Sequence, residues 1–110
     1  MKVYPAMSPD LDVITIGRAS VDLYGQQIGS RLEDMASFSK AVGGCPANIA
    51  IGTARLGLKS GIITRVGNEH FGRFIREQMV REGVAIDRVR TDPDRFTALA
   101  ILGVKNRDSF

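Results

Sequence analysis

The stretch Gly43-Gly44-Cys45-Pro46-Ala47-Asn48-Ile49-Ala50-Ile51-Gly52-Thr53-Ala54-Arg55-Leu56-Gly57 decides how the rest of the chain is read. Pro46 suits the first position of a helix, and Ile49, Ala50, Thr53, Ala54 and Leu56 follow at helical spacing until Gly57 stops the pattern. Upstream, residues 13–17 (VITIG) form a short β-branched run ending in glycine, which reads as a strand buried on both faces. Downstream, after a very short link, residues 61–67 (GIITRVG) are a second apolar run bracketed by glycines. Phe71, Phe74, Ile75 and Met79 then mark a second helical face up to Gly83, with Asn68 available as N-cap and Glu69 near the positive end of the helix dipole. Residues 84–89 and 97–104 are two further strand candidates, separated by the turn signal Asp92-Pro93-Asp94. Alternating strands and helices predict an α/β fold with parallel pairing and right-handed crossovers. Residues 25–42 hold two glycines and the weak alternation Phe38, Lys40, Val42, so they read as a loop or small hairpin outside the core. No helix signal follows the last strand before Phe110, which leaves an apolar edge, so the chain reads as cut.

The bulk properties narrow the class. A chain of 110 residues supports at most one core, and 44% hydrophobic with 25% charged residues is ordinary globular composition. The net charge of +3 arises from Lys and Arg interspersed with acids, which argues against a dedicated nucleic-acid binder. The single cysteine, Cys45, excludes an internal disulfide, and without a Cys/His cluster there is no metal-ligand spacing; a reducing cytoplasm is the expected compartment. Residues 1–12 lack an apolar signal-peptide core and no 18 apolar residues run together, so neither secretion nor a membrane span is expected.

Ligands of open α/β sheets gather where the carboxyl ends of strands feed helix N-termini. Asp22 lies five residues past Gly17 in such a loop, where a carboxylate can accept hydrogen bonds from two adjacent sugar hydroxyls, or simply be a solvated acid or a cap. Gly43 and Gly44, directly before the first helix, either bring backbone N–H groups and the positive helix end to an oxygen-rich ligand or only make a tight turn. Asn48, in the first helical turn, offers both a donor and an acceptor. Neither G-x-x-x-x-G-K-[ST] nor a G-x-G-x-x-G directly after the first strand is present.

These residues carry a family resemblance. Across residues 43–67, Gly43-Gly44, Pro46, Asn48, Ala50, Gly57 and Gly67 stand at the spacings of the first signature of the ribokinase-like (PfkB-type) carbohydrate kinases. Gly17 with Asp22 resembles that family's opening strand and sugar-binding aspartate, and residues 67–72 resemble its G-x-D-x-x-G turn. The resemblance implies that residues 1–110 are the N-terminal part of a three-layer α/β/α kinase domain, with a small β lid formed near residues 25–42 and 97–104. It implies ATP and magnesium as cofactors, both bound by a C-terminal part absent from this chain, and a homodimer through the lid. The family's catalytic aspartate stands in a downstream G-A-G-D motif that this chain does not contain, so no residue here is assigned as catalytic or metal-binding, and the chain alone is expected to be inactive.

The substrate-binding set implied by the resemblance is Asp22, Gly43, Gly44, Asn48, Arg18 and Thr97. Residues 16–23 and Phe38-Ser39-Lys40, together with residues 43–54, are most similar to the branch acting on 5-dehydro-2-deoxygluconate in inositol catabolism. Arg18 replaces the asparagine of many relatives; its guanidinium suits a sugar acid, or forms a surface ion pair. Thr97 either touches substrate or is an ordinary strand threonine. Glu69 replaces the family's more frequent aspartate and receives no functional role. Cys45 reads as a small buried filler, His70 as an exposed first-turn residue, and Arg73, Arg76, Arg81, Arg88 and Arg90 as a solvated face. A non-catalytic sugar-binding or partner-binding α/β module is the alternative. A dinucleotide-binding domain is disfavoured, because the glycine pair follows the lid-like segment rather than the first strand.

Overall fold

A computed structural model describes residues 10–107 and 109. The elements run β1 (Val13–Ile16), β2 (Ser20–Gly25), a short 3-10 turn (Leu32–Asp34), β3 (Phe38–Gly43), α1 (Cys45–Arg55), β4 (Ser60–Gly67), α2 (His70–Arg81), β5 (Val89–Asp92) and β6 (Ala98–Leu102). They build two three-stranded sheets. In the first, of order β1-β4-β5, both pairings are parallel, as the strand and helix alternation predicts. In the second, of order β3-β2-β6, β2 pairs antiparallel with β3 and parallel with β6.

One core joins these parts. Ala47 and Ala50 of α1 and Ile75 and Met79 of α2 pack with Ile62 and Val66 of β4, and Val21 of β2 enters the same cluster from the second sheet. The alternation of β4 explains the choice of face: Ile62, Thr64 and Val66 are buried against the helices, whereas Ile63 and Arg65 point away. Small residues at 47 and 50 let α1 approach the sheet closely, and Thr15 Oγ1 donates to the Pro46 carbonyl (2.9 Å) at that contact.

Several expectations are corrected. β1 is covered on one face only: Ile14 and Ile16 are 45% and 72% exposed, because β1 is an edge strand and both helices pack on the opposite side. The hairpin read in residues 25–42 is real, but it begins at Ser20, so Asp22 sits on a strand and not in a loop. The apolar run 84–89 makes no named strand; Val84 turns into the core, Ala85 bridges Gly61, and the strand begins at Val89. The strand expected at 97–104 covers Ala98–Leu102 and is an apolar edge, with Leu99 and Ile101 exposed, but an edge of the second sheet and not of the α/β sheet. Glu69, not Asn68, caps α2. Ile49 and Leu56 are exposed because Ala47 and Ala50 take the core-facing stripe of α1. Cys45 is exposed as well, at the first residue of α1. Among the arginines, Arg88 is buried, and Arg76 donates to the Val89 carbonyl (3.1 Å) and to Thr91 Oγ1 (2.7 Å). His70 is exposed at the start of α2, as expected. Residues 1–9, 108 and 110, on which the lead-in and chain-end readings partly rest, lie outside the described residues.

Candidate substrate site

The alternation Ser20, Asp22, Tyr24 puts three polar side chains on one face of β2, while Val21 and Leu23 face the core. The mixed register sets Asp22 between Ala41 of β3 and Ala100 of β6, so small neighbours flank the carboxylate on both sides. Ser20 Oγ donates to Asp22 Oδ1 (3.1 Å), and the Tyr24 hydroxyl lies 3.5 Å from Oδ2, a weaker contact. These bonds use part of the carboxylate's acceptor capacity and leave room for hydroxyl donors.

The glycine pair is explained by what surrounds it. Asp22 occupies the space a side chain on Gly43 would need, and Gly44, at φ +93°, brings its backbone against the Arg18 carbonyl. Gly17 serves the same junction from the other side: at φ +138°, a Cβ there would lie 2.7 Å from Pro46 Cγ. The turn between β1 and β2 therefore packs directly on the start of α1, which carries no side-chain cap and no acid in its first turn. Its positive end therefore lies beside Asp22 without a capping side chain.

Of the predicted site residues, Asp22, Gly43, Gly44 and the backbone of Arg18 meet at this junction. The Arg18 side chain is exposed and forms no ion pair with any described residue. Asn48 is exposed in the first turn of the same helix, at one end of a cleft bounded by β3, α1 and α2. Thr97 has a different engagement. It precedes Ala98, the partner of Ser20, but its hydroxyl accepts the Gly67 N–H (3.0 Å) and donates to Glu69.

Glu69, Ser20 and Tyr24 were not foreseen as partners of these residues. The strict alternation of residues 20–24 is the signal that identifies Ser20 and Tyr24 as neighbours of Asp22. Glu69 Oε1 also accepts the Gly72 N–H (3.1 Å), and Gly72 lacks a side chain because its Cα abuts the Gly67 carbonyl. Burial pushes the Glu69 carboxyl up, but the bonds from the Thr97 hydroxyl and from the Gly72, Thr97 and Phe71 N–H groups outweigh it and hold the group below the usual glutamate range. Asp92 acts similarly one loop away: its Oδ1 accepts from the Asp94 and Arg95 N–H groups (2.9 and 3.1 Å), folding the connection that returns the chain to Thr97. Those backbone bonds, led by that from Asp94, hold its carboxyl below the usual range against its desolvation, with Arg65 and Arg95 helping.

The arrangement offers a carboxylate, backbone N–H groups and a helix end, and among the described residues no nucleophile and base stand paired beside them. Among the described residues no cluster of three acid, histidine or cysteine side chains could hold a metal ion, and the sequence has no G-x-x-x-x-G-K-[ST] phosphate loop. No helix among the described residues is long and apolar enough to cross a membrane.

Comparison with known proteins gives a consistent result. The family model described as pfkB family carbohydrate kinase matches residues 10–109. A 5-dehydro-2-deoxygluconokinase of Geobacillus thermodenitrificans is 43% identical over 97 residues, which are 87% of this chain and 29% of that protein. Among solved structures, a PfkB protein from Polaromonas superposes with a TM-score of 0.83 at 36% identity, over 91% of this chain and 33% of that one. A sugar kinase from Pyrococcus horikoshii in complex with ATP gives 0.83 at 33% identity, over 89% and 32%. The chain thus spans less than a third of the length of the curated relatives it matches.

Proposed function

Because the chain belongs to the pfkB family of carbohydrate kinases, we propose that the protein carrying it transfers the γ-phosphate of ATP to a hydroxyl of a sugar acid, with 5-dehydro-2-deoxygluconate as the substrate. The observation that carries this reading is the Asp22 carboxylate, held on a strand between two alanines, beside the uncapped start of α1. In this role Asp22 accepts hydrogen bonds from two sugar hydroxyls, Gly44 and the helix end receive a third oxygen, and Arg18 pairs with the substrate carboxylate. Asn48 adds a donor and acceptor from the first turn of α1. The sheet β3-β2-β6 acts as the lid that keeps water from competing as phosphoryl acceptor. Pairing of two copies through that sheet, and a cytoplasmic location, belong to the same reading.

Supporting the acid substrate are the names of the relatives at 43–45% identity and the Arg18 guanidinium, exposed and without an acid partner among the described residues. ATP as donor is supported by the ATP complex of the Pyrococcus neighbour. ATP and magnesium supply the transferable phosphoryl group and its charge neutralisation; this chain's described residues bind and orient the acceptor. The test is an ATP-dependent phosphorylation assay on the protein that carries these residues, with 5-dehydro-2-deoxygluconate and fructose as competing acceptors. Preferential phosphorylation of the acid is expected. Faster turnover of fructose overturns the substrate assignment, and no phosphorylation of either overturns the kinase reading.

A further inference from the structure

The cleft that Asn48 lines lies on the other side of the small sheet from Asp22. Lys40 and Val42 alternate with Ala41, so their side chains leave the face opposite Asp22 and overhang this cleft of about 390 Å³ between β3, α1 and α2. Its floor is Ile51, Gly52 and Phe74, and Asn48 stands at one end. A cleft of this size falls within the range that small organic ligands occupy.

Two features of the cleft point to an occupant. The first is charge. Among the described residues Glu82 is the one acid that lines it, and Arg55 engages it, its Nε and terminal nitrogen donating at 2.8 and 2.6 Å. Lys40 has no acid partner among the described residues; its Nζ rests 4.3 Å from the centre of the Phe74 ring. Among the described residues that leaves Lys40 as a cation without an acid partner, beside the apolar Ile51 and Phe74, with Gln78 and the Arg55–Glu82 pair elsewhere on the lining. The second is Gly52. A glycine inside a helix costs about 0.5–1 kcal/mol relative to alanine. Neither backbone nor packing demands it here, since its φ is not positive and a Cβ would meet nothing within 4 Å. Its effect is to leave the floor of the cleft open.

We propose that this cleft is a binding site for a small organic anion, an apolar body carrying one carboxylate or phosphate, separate from the site at Asp22. The anionic group pairs with Lys40, and the apolar body lies over Ile51, Gly52 and Phe74.

The test is titration calorimetry on the protein carrying this chain, with phenyl phosphate and benzoate as the two anion probes and phenol as the neutral control. At least one anion is expected to bind with a dissociation constant on the order of 1 mM, and phenol much more weakly. Lys40→Met, which keeps the apolar stem, and Gly52→Leu, which fills the floor with a good helix former, are each expected to weaken the anion at least about tenfold. Asp22→Ala is expected to leave it unchanged. The proposal is overturned if no anion binds, if phenol binds as well as the anions, if neither cleft variant changes the affinity, or if Asp22→Ala abolishes it. That last result would place the anion in the substrate site and leave the kinase reading standing.

Discussion

The carboxylate of Asp22 fills the space that a side chain on Gly43 would require, so the acid on one strand and the glycine on its neighbour form a single unit. The glycine pair before α1 is therefore needed for more than access of a ligand to backbone.

Gly43→Ala is expected to displace the Asp22 carboxylate and destabilise the fold by about 1–3 kcal/mol, the usual cost of overpacking a filled position. Substrate binding should fall with it. Thermal unfolding together with calorimetry checks both; a variant with unchanged stability and affinity would show that the carboxylate moves aside freely.

Asp22→Asn keeps a hydrogen-bonding oxygen near Ser20 and Tyr24 but loses the charge. Bonds to a charged group contribute about 1.5–3 kcal/mol, so sugar-acid affinity should drop roughly tenfold to a hundredfold with little change in stability. An equal affinity for the variant would remove Asp22 from the substrate site.

Thr97→Val replaces the hydroxyl by a methyl of similar size and strands the buried Gly67 N–H, at an expected cost of about 1–3 kcal/mol. Thr97→Ser should recover most of it. Denaturant unfolding of the pair separates loss of the hydroxyl from loss of packing, and equal stability of Val and Thr would sink the assignment.

Glu69 sets a pH dependence whose sign follows from its bonds. Its folded pKa lies below the unfolded value of about 4.3, so its contribution is fully present above that value and is lost as pH falls through the lower, folded pKa. Glu69→Ala should therefore cost about 0.5–2 kcal/mol at neutral pH, as expected for a lost N-cap, and progressively less in acid. Stability curves of the two proteins that stay parallel down to pH 3, or roughly there, would contradict this.

Much of the architecture was legible because glycines punctuate it. Gly57, Gly61, Gly67 and Gly83 bound α1, β4 and α2 nearly where the pattern puts them. What escaped was decided by partners distant in sequence. Asp22 was assigned to a loop because Gly17 looked like the end of local order; the strand exists because β3 and β6 pair on both sides of it. Residues 84–89 have strand-like composition, yet the strand begins where Thr64 finds Val89. Glu69 was passed over for Asn68 because nothing in the local sequence reports that Thr97 returns to its side chain. Cys45 reads locally as filler, but the alanines of α1 already occupy the core-facing positions.

The central position of β2 also bears on when the site comes into being. Its antiparallel partner β3 follows within one hairpin, whereas its parallel partner β6 is almost the whole described chain away. As the chain leaves the ribosome, the α/β layer around β4 can collapse while β2 still has one open flank, and long-range parallel pairing is slow to close. Asp22 gains its second alanine neighbour only when β6 pairs. Pairing of β6 is thus expected among the later events in the folding of this chain, and tyrosine fluorescence of a Tyr4→Phe variant, which leaves Tyr24 as the chain's one tyrosine, would follow it.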